Sequence, residues 1–212
     1  MTPRSSSPGS APDLRPRLLH TSRRSRGCCL PSLAWIRLAR GHYWLPDPHA
    51  ERWQHRYTLS LARAVVAQRS QFSTAYLSHT SAALALDLDM FSPEPDVYLA
   101  VSSTPVQVHT VLPRIWIPAR GTPVPVPEGS SESSPCRDIT LWRRRLVLKP
   151  EEVASVGQTV TTTAVRTAYD CAFDEPAHNA LSIADSVLRR CCQPNRERPE
   201  LCAPAIARVR QE

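Results

Sequence analysis

Residues 153–192 read VASVGQTVTTTAVRTAYDCAFDEPAHNALSIADSVLRRCC, and within them the apolar spacing lengthens from strand-like to helix-like. Val153 to Val156 spells a short strand and Gly157-Gln158 a turn. The threonines from Thr159 to Thr163 then cap a helix that carries Ala164, Val165, Ala168, Tyr169 and Ala172 on one side. Asp174 with Pro176 opens a last long helix, in which Ala177, Leu181, Ala184, Leu188 and Cys191 recur at helical spacing. That stripe is the face expected in the core, with Leu181 buried. Pro194 and Pro199 stop the helix. Two amphipathic C-terminal helices behind short strands define an α/β (α+β) fold with a small mixed sheet.

Upstream, the same reading finds the rest of that sheet. Ser73 to Leu77 is a strand, and Ser78 or Thr80 caps a compact helix made of SAALALDL. Asp96 to Ser103 alternates Val97, Leu99 and Val101 with Tyr98 and Ala100, so it is expected as a half-buried strand under the two C-terminal helices. Pro113 interrupts VQVHTVLPRIWIP, which suits an edge or bent strand. Gly121 to Cys136 is Pro-rich and then Ser-rich, an exposed excursion, after which DITLWRRRLVL resumes the strand pattern. Asp47-Pro48 has the form of a helix start, followed by Trp53, Tyr57, Leu61, Ala64, Val65 and Gln68 at helical spacing up to about Ser70. Before it, LAWIRLARGHYWLP folds back at Arg40-Gly41 as a hairpin, and TSRRSRGCCL from Thr21 is a short helix ended by Pro31. The first dozen residues, rich in Ser and Pro, read as disordered.

The chain has 212 residues, enough for one sizeable core, and no apolar run long enough to span a bilayer. It holds 21 Pro against 6 Gly, so its connections are stiff. Lys149 is the one lysine among 26 basic residues, a skew that reads as GC-rich coding and points to a bacterial source. The first 40 residues carry eight arginines against Asp13, which accounts for the whole net charge of +7; residues 41–212 are balanced. Any attraction for phosphate or an acidic surface belongs to that N-terminal fifth. The same run also fits a solvated arm with no partner, or an organelle transit peptide if the source were eukaryotic.

Several kinds of chemistry are missing from the sequence. No Gly-rich phosphate loop and no G-x-S-x-G is present. The seven cysteines, Cys28, Cys29, Cys136, Cys171, Cys191, Cys192 and Cys202, include no C-x-x-C, and no two of the seven histidines stand at the helical spacing of a zinc site. No signal peptide core is visible, so a reducing cytoplasm with free thiols is expected. Asp87 with Asp89, and Asp170 with Asp174 and Glu175, read as caps or solvated turns rather than acid–base pairs. No catalytic residue, metal or cofactor is expected.

Three segments in a fixed order resemble a known family. The first is Trp35-Ile36-Arg37-Leu38 with Arg40-Gly41-His42-Tyr43; the second is Leu77-Ser78-His79-Thr80-Ser81-Ala82-Ala83; the third runs from Thr161 to Asp170, followed by the Ala/Leu-rich helix Ala177 to Arg190. Together they resemble the AbiEi-type antitoxins over roughly Thr21 to Cys192. The resemblance implies a winged helix followed by a mixed α/β domain, in a protein that binds its own promoter and opposes a nucleotidyltransferase-like toxin. Longer relatives add an endonuclease domain similar to very-short-patch repair enzymes. Its core needs an acid two residues before a lysine, where this sequence has Val147 before Lys149.

With only some 30 residues before the hairpin, the winged helix is expected to be partial. The expected organisation is a disordered basic arm at 1–20, a partial winged-helix region with the long helix at 21–72, a mixed α/β domain at 73–192 and a tail at 193–212. If this region binds DNA, Arg23, Arg24 and Arg26 would contact phosphate or guanine edges, and Arg37 and Arg40 would grip the backbone from the wing. The expected function is a non-enzymatic cytoplasmic antitoxin or transcriptional regulator. The alternative is a protein-interaction module that binds a toxin or another partner through 73–192 without touching DNA.

Overall fold

The computed structural model describes residues 14–21, 34–127 and 136–192. Its architecture is α/β. A first sheet is made by β1 (Arg17–His20), β2 (Ile36–Ala39) and β3 (His42–Leu45), antiparallel throughout in the order β1-β3-β2. After it comes α1 (Arg52–Arg69), then β4 (Ala75–Leu77), α2 (His79–Ala85) and β5 (Val97–Val101). β6 (His109–Val111) lies at a sheet edge, and beyond Pro113 the chain leaves that sheet to pair β7 (Ile115–Trp116) with β8 (Val124–Pro125) as a separate ribbon. β9 (Thr140–Arg145), β10 (Val153–Val156) and β11 (Thr159–Thr162) complete a second, six-stranded sheet, ahead of α3 (Ala164–Asp174) and α4 (Ala177–Cys192). Its order is β10-β11-β4-β5-β9-β6, with β11 parallel to β4, β5 parallel to β9 and the other pairs antiparallel. Among the described residues no helix is long and apolar enough to cross a membrane.

Helix α1 joins the two sheets because two of its faces are apolar. Leu59, Ala62 and Val66 pack with Ile36, Leu38 and Trp44 of the first sheet and with Ile115 and Ile117. Ala64 and Ala67 meet Leu77, Val97, Leu99 and Leu141 of the second. A third cluster joins Ala83 and Leu88 to Cys171, Ile183 and Val187. Helix α3 therefore rests mainly on α2, and α4 on α3 and on the segment after α2. The expectation that both would lie directly on the strand around 96–103 is corrected to this further layer.

Four other expectations change. Arg17–His20 is not part of a disordered arm: its backbone pairs with β3, and Leu18 packs against the buried cluster under the first sheet. The long helix starts at Arg52 rather than at Pro48, because Asp47 closes a turn of its own, accepting from the His49 N–H at 2.9 Å and from the Ala50 N–H at 3.1 Å. Glu51 then precedes the helix, its N–H donating to Gln54 Oε1 at 2.7 Å. Strand β5 is buried on both faces, since Tyr98 on its second face stacks on His79 at 4.7 Å between ring centroids. The short helix expected from Thr21 lies outside the described residues apart from Thr21 itself, whose N–H donates to the Gly41 carbonyl at 2.9 Å.

The fourth correction concerns α4. Leu181 is 68% exposed and Leu188 42%, while the helix buries Asn179, Ala180, Ile183, Ser186 and Val187. Two polar residues take inward positions because they satisfy backbone donors of the segment after α2. Asn179 Oδ1 accepts from the N–H groups of Phe91 and Ser92 at 3.1 and 3.3 Å, and Ser186 Oγ accepts from that of Asp89 at 3.0 Å. We expect Ile183→Ala to lose about 2–5 kcal/mol of unfolding free energy in urea. In the same titration Leu181→Ala should stay within about 0.5 kcal/mol of the parent; the reverse ranking would put the wrong face of α4 in the core.

Candidate nucleic-acid interface

The hairpin β2–β3 turns at Arg40-Gly41, and three contacts fix that turn. Gly41 has φ 76°, and a Cβ there would come within 2.9 Å of the Thr21 carbonyl oxygen, so both conformation and space call for glycine. Thr21 holds the Gly41 carbonyl from one side. From the other, His42 Nδ1–H donates to the Arg40 carbonyl at 3.1 Å. Burial pushes the His42 pKa below its ordinary value.

Register then decides which side chains face out. Leu18, Ile36 and Trp44 share the inner face, since Trp44 sits opposite both of the others. The outer face carries Leu19, Tyr43 and Arg37 in one row across the three strands, with Arg17 opposite Leu45 in the next. Arg37 and Arg40 are exposed, one on the strand and one at the tip. Neither they nor Arg17 forms an ion pair among the described residues. Arg23, Arg24 and Arg26 lie outside the described residues, in the connection from β1 to β2. The structure thus brings Arg37 and Arg40 onto one hairpin beside Tyr43 of the same familiar segment, and adds Arg17, which the sequence reading had not singled out. The signal for Arg17 was the Leu18-Leu19 pair after it, obscured by the Pro-rich surroundings.

The second and third familiar segments meet inside the protein. His79, at the start of α2, adopts φ 49° and is almost wholly buried. Its Nδ1 lies 3.0 Å from Ser78 Oγ and its Nε2 2.9 Å from Asp174 Oδ2 at the end of α3. These two bonds and the stacking on Tyr98 hold a backbone conformation that a side chain rarely accepts. Nearby, Arg166 joins two carboxylates, with Nη1 2.8 Å from Glu152 Oε1 and Nε 2.8 Å from Asp170 Oδ1. The Thr162 and Thr167 hydroxyls bond to each other at 2.8 Å. Serine, histidine and aspartate in a line suggest a hydrolytic triad, but Ser78 has no exposed surface and so cannot reach a substrate in this conformation. The arrangement is a clamp between α2 and α3. No group of three His, Cys, Asp or Glu able to hold a metal ion exists among the described residues.

Compared with protein-family models, with curated proteins and with solved structures, the chain matches none.

The clamp has a pH signature. Hydrogen bonding from the Lys149 N–H, and then from Arg166, holds the Glu152 carboxyl below its ordinary value of 4.5, whereas burial pushes Asp170 up. A lowered carboxylate pKa adds stability that is complete above the unfolded value and is lost as pH falls through the lower folded one. Glu152→Gln should therefore unfold at lower urea than the parent at pH 7, with the gap closing as pH drops below 4.5. Asp170 is common to both proteins and cancels to first order in the difference. A gap that stays constant from pH 7 to the acid limit would show that the charge of Glu152 is irrelevant.

Proposed function

We propose that this protein is a non-enzymatic DNA-binding regulator of the AbiEi antitoxin type, using the β2–β3 hairpin as a wing. The observation that carries the reading is the first sheet, whose outer face bears Arg17 and Arg37 beside Tyr43 and whose hairpin tip bears Arg40, none of them with a carboxylate partner among the described residues. Guanidinium groups without a carboxylate partner are suited to phosphate oxygens, which they grip without reading sequence. The antiparallel order β1-β3-β2 supports the reading of β2–β3 as a wing. Arg23, Arg24 and Arg26 lie in the sequence between β1 and β2, outside the described residues. In this reading those three arginines contact phosphate or guanine edges. The protein works in the cytoplasm, on its own promoter and against a nucleotidyltransferase-like toxin.

A separate observation favours the interaction-module reading. Tyr169 and Phe173 on α3 and Leu181 and Leu188 on α4 are large apolar side chains left exposed, all in the electrically balanced part of the chain. Such residues suit a protein partner more than DNA.

A gel-shift titration on the protein's own upstream duplex and on a scrambled duplex, at two salt concentrations, separates the readings. Arg37→Ala with Arg40→Ala should weaken binding to both duplexes alike and flatten the log–log salt slope by about 0.9 for each phosphate that is no longer neutralised. Equal affinity of the parent for both duplexes would leave only a basic surface, and no binding to either at low salt would transfer the function to the exposed face of α3 and α4.

A further inference from the structure

A cavity of about 720 Å³ opens where the second half of α1, the end of β2 and residues 103–113 come together. Its walls are largely apolar, with Leu38, Val66, Val106 and Leu112 among them, and Phe72 stands fully exposed at its border. No aspartate or glutamate lines it, yet two arginines do, Arg63 and Arg143.

Arg63 is 4% exposed and has no carboxylate within ion-pair distance among the described residues. One Nη donates to the Pro113 carbonyl at 2.9 Å, and Nε is buried with no partner at all. The field of Glu94 reaches it, but that carboxylate is bound to Arg56 at 2.9 Å. Burial draws the Arg63 pKa down to about 10, which leaves it charged at neutral pH. Arg143 is held by neutral groups, with Nε donating to Gln71 Oε1 at 3.2 Å and Nη1 to Thr110 Oγ1 at 2.9 Å. A buried charge without a counter-ion is costly, and an anion entering the cavity would offset that cost.

We propose that this cavity binds a small organic acid, a carboxylate on an apolar body, with Arg63 and Arg143 receiving the carboxylate and the apolar walls the rest. The volume falls in the range of pockets that enclose drug-sized molecules. The cavity touches Leu38 and Ala39 of the wing strand, so occupancy has a direct route to the hairpin. That consequence rests on the DNA-binding reading, whereas binding of the acid does not.

The probe is decanoate, titrated calorimetrically below its micellar concentration, with decan-1-ol and acetate as the body without the charge and the charge without the body. Decanoate should bind at least about tenfold more tightly than either, since only it satisfies both halves of the site. Arg63→Met, which keeps volume and removes charge, should bring decanoate down to the level of decanol and leave decanol unchanged. Thr110→Glu places a competing carboxylate where the Thr110 hydroxyl already meets Arg143 and should also abolish decanoate binding, which keeps the test open if Arg63→Met does not fold. Arg145→Met, an exposed residue of β9 outside the cavity, should bind as the parent does. Equal binding of decanoate and decanol, retention of the difference in Arg63→Met, or its loss in Arg145→Met would overturn the assignment. In a parallel gel shift, decanoate binding without any change in DNA affinity would refute the coupling to the hairpin while leaving the binding site in place.

Discussion

Helix α1 has apolar faces turned in two directions, and the arrangement of both sheets follows from that one constraint. Leu59, Ala62 and Val66 look toward Trp44 and the first sheet, and Ala64 and Ala67 look toward Leu77 and Leu99 of the second. Alanine at these contacts lets backbones approach closely. Arg63 lies in the seam between the two faces, which explains how a charged residue sits amid a run of buried aliphatics. The helix cannot bury both faces and also fill the seam, so the cavity beside Arg63 is a geometric consequence of joining two sheets through one helix.

The arginine-rich composition has a structural counterpart. A guanidinium presents several donors in a fixed plane and remains charged when buried, so one residue can tie together acceptors from separate segments. Arg166 does so for Glu152 and Asp170, and Arg190 for the carbonyls of Leu86 and Asp87. A lysine at either place would offer a point charge without the planar fork. Most described arginines of the second sheet and its helices are used up in this way, in contrast to those on the outer face of the first sheet.

The sequence was most legible where neighbours along the chain decide the outcome. Strand-like segments located β2, β3, β9 and β10, and the threonine at 163 marked the start of α3, where its hydroxyl accepts from the Arg166 N–H, but Thr159–Thr162, expected to belong to that cap, form β11 instead. It was least legible where a distant segment decides. Ile183, not Leu181, faces inward because Asn179 and Ser186 satisfy backbone groups of residues 89–92, and no periodicity count contains that information. The partner of His79 is likewise Asp174, on another helix altogether. Among the candidate interface residues, Arg37 and Arg40 could be placed on the hairpin from local pattern alone. Arg63 could not be recognised, because an arginine within a helical stretch is ordinarily a solvated one.

The position of β4 has a consequence for how the chain is made. β4 lies in the interior of its sheet, yet one neighbour, β11, pairs Thr161 with Leu77 and is translated long after it. The first sheet and α1 are local in sequence and can assemble while synthesis continues. β4, by contrast, has an open edge until β11 emerges, and α2 lacks its cover until α3 and α4 follow. During that interval the nascent chain presents an unpaired parallel edge and an uncovered apolar helix, the two features most prone to wrong association. Formation of the second sheet is therefore the slow, non-local step, and ribosome pausing or chaperone capture would act on the span between Leu77 and Thr161 rather than on the arginine-bearing hairpin.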